Sequence, residues 1–589
     1  MPPQNKGFRG LGRELFRSAA EFFPSVISSA RAACARVRSC STPARAFGFQ
    51  IAVAPPDARL AVDAAKHSCL WGVLRGMDFL VALLFVTHLA SGSVHDVTLQ
   101  PGASHDYEVK LGRGESAQIV VRQLGVDVVV EVRAPDGKLI DAVDGPTGRN
   151  GDERVEIIAP VGGRYSLRVR PFDANEPAGK YRLEVQALRS ARETAKMLRT
   201  RADVRKDAAE WLRARSGTIG PLAARARVIG LGEATHGSRE FGDLRLSLTK
   251  TLIERHGFGV VAVEASASRL AQLAPYVSGE AAASPEVTKL IESGWIGRRA
   301  QREIIEWTRA WNLAHPQSRV RIVGVDAQEN VQARATVRAF VQGAYGDTLT
   351  SRWNAAEKEL TVADEQTAVF GDSGIEISVR NFLVELRAML DLDAPILRAR
   401  FGSAALEAAQ EASSTLAQFA DFNAEGNGQH SRDWYMAANV LAALEPDPSS
   451  RAVYWAHNAH VAAPHGSMRT AGAILRSVLG CEYGALAVTF GEGSFVAQIP
   501  NDAEDRLVVS TLPPAVDESI ESVLASLPLV TWPCDTDVAS TPQWLRSPHS
   551  MHWVGGLFAP GTLPSAAVRQ FDLVRDFDGV AFVPRVTAD

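Results

Sequence analysis

Glu233, His236, Arg239 and Glu240 follow one another closely in the stretch Arg227 to Phe241, which reads R-V-I-G-L-G-E-A-T-H-G-S-R-E-F. His236 can take a proton from water if a neighbouring carboxylate, Glu233 or Glu264, holds its ring and supports the imidazolium. The setting suits that chemistry. Val228 to Leu231 reads as a short buried strand, Gly232 and Gly237 let the chain turn, and an amphipathic segment after Ser238 reads as a helix. In open parallel α/β sheets, ligands bind where the chain turns beyond the carboxyl end of a strand.

Four further apolar runs end in the same kind of residue. Gly259 to Val263 is followed by Glu264, Val320 to Val325 by Asp326 and Gln328, Ala452 to Trp455 by His457, Asn458 and His460, and Ala485 to Phe490 by Glu492. If the runs are parallel strands, their ends share one rim and these residues converge. Each has an ordinary reading of its own: a histidine after a strand is commonly a hydrogen-bonded structural residue, Glu264 and Asp326 can cap helices, and Arg245 can lie on a solvated helix face. Five runs ending alike are harder to assign to packing, because core positions rarely hold such groups unpaired.

The elements that position these residues follow from the pattern of the remaining chain. Residues 216–589 alternate apolar runs with helical periods, which predicts an α/β fold with a mainly parallel sheet, helices on both faces, and a helical cap inserted at about 335–450. Arg432 and Asp433 open the helix that leads back from this insertion, and can either cap it or line the cleft. Residues 94–187 instead show short alternating segments between turns, as expected of a small antiparallel β-sandwich. A charged helical linker at 188–215 joins the two.

The chain has 589 residues, 46% hydrophobic and 22% charged, which implies a packed protein of two or three domains. A net charge of −4 gives no reason to expect nucleic acid as a partner. Residues 1–76 carry 11 Lys and Arg against 4 Asp and Glu, and the apolar run Phe79 to Leu89 follows, then Ala90-Ser91-Gly92-Ser93. Basic, apolar and small segments in that order predict export to the periplasm or beyond, through a signal segment or an uncleaved membrane anchor, with a buried core helix as the alternative. The basic N-terminal region with this segment is taken as 1–93. Of five cysteines only Cys481 and Cys534 lie beyond it; no C-x-x-C is present, and the two can form a disulfide or stay as buried thiols.

The motifs G-L-G-E-A-T-H-G-S-R-E-F (230–241), A-V-E-A (262–265), G-V-D-A-Q (324–328), R-D-W-Y-M-A-A-N (432–439) and Y-W-A-H-N-A-H (454–460) occur in an order that resembles the erythromycin esterase family, over residues 216–589. The resemblance implies a carboxylic ester hydrolase that opens an ester or macrocyclic lactone, with His236 as general base on water and Glu233, Arg245, Glu264, His457 and His460 completing the catalytic site. Asp326, Gln328, Glu492 and Arg239 are candidates for substrate binding. Where relatives carry acidic residues after Trp295, this chain has Arg298-Arg299-Ala300, which bears on the substrate. The phrases G-G-R-Y-S-L-R-V-R (162–170) and G-K-Y-R-L-E-V (179–185) resemble pre-peptidase C-terminal β-sandwiches, which accompany exported enzymes.

With no G-x-S-x-G elbow, water is the nucleophile left for ester hydrolysis, and His457, His460 or Arg245 can serve the oxyanion. No cofactor is expected. The alternative is a divalent metal such as zinc on His236, Glu264, His457 and His460, although no H-E-x-x-H is present. A third reading keeps the fold and drops the reaction, leaving an inactive exported binding protein.

Overall fold

The computed structural model describes residues 86–589 apart from 145–147, 174–175, 293–297, 329, 367–373, 425–427, 446, 448, 465–468, 501–505, 516–517, 526 and 560–566. The apolar run called as an export segment therefore lies mostly outside the described residues. Its end does not: Thr87–Leu89 is strand β1, and Leu89 is buried in the sandwich core. The sandwich thus starts before the change of texture at Val94.

Among the described residues nine strands form the sandwich: β1, β2 (Val94–Leu99), β3 (His105–Leu111), β4 (Ser116–Leu124), β5 (Val128–Arg133), β6 (Leu139–Val143), β7 (Asn150–Ile158), β8 (Gly163–Pro171) and β9 (Gly179–Arg189). They make two sheets, β1-β3-β8-β5-β6 and β2-β9-β4-β7. All pairs are antiparallel except β1 with β3. Alternation fixes the inner faces: Tyr107, Val109 and Leu111 point inward with Ile119, Val121, Tyr165, Leu167, Tyr181 and Leu183. The helix Ala191–Arg213 then leaves β9. A capping box at Ser190 and Glu193 starts it, and Ala208 and Leu212 anchor its far end in the next domain's core.

That domain is built on β10 (Val228–Leu231), β11 (Val260–Ser266), β12 (Arg321–Asp326), β13 (Ala452–Trp455), β14 (Tyr483–Gln498), β15 (Leu507–Leu512), β16 (Leu529–Thr531) and β19 (Gly579–Val586). The strand order is β12-β11-β13-β10-β14-β19-β16, with β15 paired to β14. The first six of that order run parallel, while β16 and β15 pair antiparallel. β17 (His549–His552) and β18 (Val568–Phe571) form a separate ribbon.

Strand residues divide alternately between two cores, which shows that both faces of the sheet are covered. Val228, Val260, Ala262, Ala452 and Tyr454 pack with Met436, Ala437 and Val440 of the helix Gly428–Ala442 and with Leu475. Ile229, Leu231, Val261, Val263, Val453 and Trp455 pack with Leu248 and Leu252 of the helix Arg239–His256 and with Ile304 and Ile305. Strands buried on both sides read as continuous apolar runs, which is why they stood out in the sequence.

Between β12 and β13 the described residues are mostly helical. The helices Val331–Ala344, Gly346–Gln366, Ile377–Leu392 and Ser403–Phe422 enclose a core of their own around Val337, Trp353, Leu383, Leu386, Leu416 and Phe419. Gly428–Ala442 returns from it to the sheet, and Asn439 Nδ2 donates to the Val325 carbonyl, 2.9 Å away.

Candidate active site

The turn after β10 is shaped by close packing. A Cβ on Gly232 would stand 2.1 Å from Asn458 Oδ1, and one on Gly237 would stand 1.9 Å from the Val496 carbonyl oxygen, so only glycine fits either place. Asn458 earns its position after β13 by donating to the Val488 carbonyl and accepting from its N–H, extending the strand pairing with a side chain. Its own backbone N–H donates to the Glu233 carbonyl.

Within this turn Glu233 Oε1 is 2.7 Å from His236 Nδ1, and Glu233 Oε2 is 2.6 Å from Arg245 Nη2. Arg245 is buried on the helix Arg239–His256, with its guanidinium 4.8 Å from the centre of the Trp455 ring. It points along the sheet to the rim rather than out to solvent. It lies against the Glu233 carboxylate and holds it in place. With Nδ1–H donated to Glu233, the neutral His236 ring carries its basic lone pair on Nε2. Burial works against the imidazolium, but Glu233, by hydrogen bond and charge, and Glu264 outweigh it and raise the His236 pKa.

A second group forms where β11, β12 and β13 end. The register of β11 shifts between Val263 and Ser266, and this irregularity aims Glu264 across the rim. Glu264 Oε2 accepts the His457 backbone N–H at 2.8 Å, and Oε1 lies 2.9 Å from Arg432 Nη2. Arg432 also holds Asp326, at 3.1 Å through Nε and 2.6 Å through Nη2. His460 Nδ1 is 2.8 Å from Asp433 Oδ1, and its Nε2 lies 3.3 Å from Glu264 Oε1 and 3.2 Å from Arg432 Nη1.

Those two contacts at Nε2 ask for opposite protonation states. Burial disfavours the His460 cation, but Asp433 and Glu264 outweigh both burial and Arg432 and raise its pKa to about 10, which favours the imidazolium facing Glu264. Glu264 is held well below the usual carboxylate range: burial opposes its charge, and His460, His236 and Arg432 overcome it.

His457 is the opposite case. It is buried beside His236, ring centres 5.5 Å apart, with the Trp553 ring edge-on at 4.6 Å. Its Nδ1 accepts the Ala459 N–H and caps the turn Asn458–Val461, so its proton sits on Nε2, 3.3 Å from the Ala234 carbonyl. Burial first, and the neighbouring His236 second, lower its pKa to about 3. Of the three histidines His236 is the most open, with 18% of its side chain exposed against 9% for His460.

As a metal site His236, Glu264, His457 and His460 fit poorly. His236 Nδ1 and both nitrogens of His457 and His460 already face protein partners, and both Glu264 oxygens accept hydrogen bonds or ion pairs. Among the described residues no group of three His, Cys, Asp or Glu is arranged to hold an ion.

The substrate-binding candidates divide. Asp326 belongs to the cluster, and the backbone N–H of Gln328 donates to it at 3.3 Å. Glu492 does not: β14 runs on past the rim through Gly491 and Gly493 to pair with β15, and Glu492 sits opposite Arg585 on β19, to which it is ion-paired. Arg239 is also outside the cluster; it is exposed, and its backbone N–H and carbonyl are bonded to Thr587 and Arg299. Arg299 in turn binds Asp243, Glu303 and Asp589, which gives the Arg298-Arg299-Ala300 departure a structural role at Arg299.

Arg432 and Asp433 were readable as adjacent charges at a helix start but not as central, because their partners lie at least 27 positions away. Trp553 gave no signal.

The family model described as erythromycin esterase matches residues 253–586, a span that holds Glu264, Asp326, Arg432, Asp433, His457 and His460 and begins after the Glu233–Arg245 segment. An erythromycin esterase type I from Escherichia coli is 21% identical over 260 residues, 40% of this chain; the chain spans 62% of that protein's length. A Bacillus cereus protein of known structure superimposes with a TM-score of 0.52 at 18% identity, covering 65% of this chain and 98% of its own. A succinoglycan biosynthesis protein does so with a TM-score of 0.50 at 17% identity, covering 66% and 98%. The family match takes in more than half of the chain, and the chain belongs to the erythromycin esterase family.

Proposed function

We propose that the chain hydrolyses a carboxylic ester, most simply a macrocyclic lactone of the macrolide type, with water as nucleophile and His236 as general base. The observation that carries this reading is the line Arg245–Glu233–His236, in which the guanidinium fixes the carboxylate and the carboxylate fixes Nδ1 of the most open histidine in the cluster.

Water adds to the ester carbonyl carbon while its proton passes to His236 Nε2, and the carbonyl π electrons move to oxygen. The imidazolium so formed is stabilised by Glu233. When the tetrahedral intermediate collapses, the carbon–oxygen bond to the alkoxide breaks and His236 returns the proton to that oxygen. The products are the acid and the alcohol, or one hydroxy acid from a lactone. General base catalysis of this kind contributes about 10²- to 10⁴-fold. His457, its ring centre 5.5 Å from that of His236, meets the developing oxyanion if its Nε2–H turns from the Ala234 carbonyl, 3.3 Å away. The reading needs no metal, in keeping with donor atoms that already face protein partners.

Export is part of the proposal. Cys481 and Cys534 form a disulfide, Cα atoms 5.7 Å apart, and such bonds persist in oxidising compartments. No helix among the described residues is long and apolar enough to cross a membrane. The test of function is mass spectrometry of purified protein incubated with macrolides and other lactones. The reading expects a product heavier by one water, and no turnover of any of them would remove the lactone assignment.

A further inference from the structure

His236 is held on both sides by distant chain. Before it, Thr235 pairs with Gly555, and Ala234 accepts the N–H groups of Val554 and Gly555. After it, the residues Gly237 to Glu240 meet Thr587–Asp589. Ser238 and Ala588 form an antiparallel bridge, the Asp589 N–H donates to the Gly237 carbonyl at 3.1 Å, and the Arg239 N–H donates to the Thr587 carbonyl at 3.0 Å. Glu240 spans 347 positions to accept both the N–H and the hydroxyl of Thr587, each at 2.7 Å.

The segment is itself tied down. Ala588 N–H donates to Ser494 Oγ at 3.2 Å, and Arg299 Nε donates to Asp589 Oδ1 at 2.9 Å while Nη2 donates to the Arg239 carbonyl at 3.0 Å. One guanidinium thereby ties the chain just after the base to the segment that pairs with it.

We propose that Thr587–Asp589, locked by Arg299 and Glu240, is a positioning clamp that sets the backbone of His236 and so the aim of its ring at Glu233. The proposal rests on His236 being the base. Residues of this kind act through geometry, and a displacement of about 1 Å at a catalytic group costs about 10²-fold in rate. The groups facing His236 that govern its charge are Glu233, Glu264, Arg245 and His457, none of which belongs to the clamp.

The test compares the full chain with a form lacking Thr587–Asp589 and with Arg299→Met and Arg299→Lys, each labelled with ¹⁵N-histidine. On the lactone found by mass spectrometry, removal of the segment and Arg299→Met lower kcat about 10- to 100-fold with KM within about twofold. The NMR titration midpoint of His236 falls in both, as the Glu233 contact loosens, and Arg299→Lys restores most of both losses. An unchanged midpoint and kcat, with only a lower Tm, would overturn the clamp. If the parent chain opens no ester and the midpoint still falls, the clamp stands and the hydrolase reading fails.

Discussion

The Glu233 carboxylate binds His236 Nδ1 at 2.7 Å, three residues along the same turn, with its second oxygen 2.6 Å from Arg245. Glu233 is thus an orienting group whose charge is balanced from behind, and His236 is the ring it orients.

The pH dependence of the reaction follows from that pairing. A base must be unprotonated, so kcat/KM rises with pH through the His236 pKa, which lies above the ordinary 6.5. Glu233→Gln removes the charge that raises it. The acid limb in the variant then moves to lower pH, with kcat reduced by about 10²-fold at neutral pH. A pH–rate profile of both proteins checks the shift.

Stability responds to His460 and His457 in opposite directions. The His460 pKa is raised from 6.5 to about 10, so its contribution is complete below pH 6.5 and is lost as pH rises toward 10. The His457 pKa is lowered to about 3, so its contribution is complete above pH 6.5 and is lost as pH falls toward 3. Asp433→Asn keeps an acceptor for the Ala471 N–H but removes the first-ranking attraction on His460. The expected outcome is a shallower fall of Tm between pH 6.5 and 10 than in the parent.

Arg432 joins Asp326 and Glu264 across the ends of two strands. Arg432→Met leaves the buried Asp326 without its cation and Glu264 with His460 alone, at a cost of about 3–5 kcal/mol. Activity falls with stability, and restoring the positive charge as Arg432→Lys recovers only part of either, because one ammonium cannot reproduce the planar contacts. Calorimetry and kcat on the same preparations check this.

The disulfide closes a loop of 53 positions from Cys481 to Cys534, a constraint worth about 4 kcal/mol on the denatured chain. Reduction is expected to lower Tm without changing KM, since the bond lies at the amino end of β14, away from the rim. A thiol count before and after reduction, alongside melting curves, tests both parts.

How much was legible depends on what the residues had to do. β10, β11, β12 and β13 announced themselves because burial on both faces makes a strand an unbroken apolar run, and their ends gave Glu233, His236, Glu264, Asp326, His457 and His460. The same rule misplaced Glu492, because glycines let β14 continue past the rim where polar residues suggested an end. β19 was not read as a strand, and β1, β2 and β6 are short or half-exposed edge strands with weak alternation. Arg432 and Arg299 have local sequence surroundings like any surface helix; the contacts that give them their roles, to Asp326 and to Asp589, are made far away in the chain.

The most direct measurement is kcat/KM of His236→Ala on the lactone that gains water in the mass-spectrometric screen, with the fold checked by thermal melting. The account predicts a loss of about 10²- to 10⁴-fold at nearly unchanged Tm, partly restored by added imidazole. Turnover within a few-fold of the parent would contradict it.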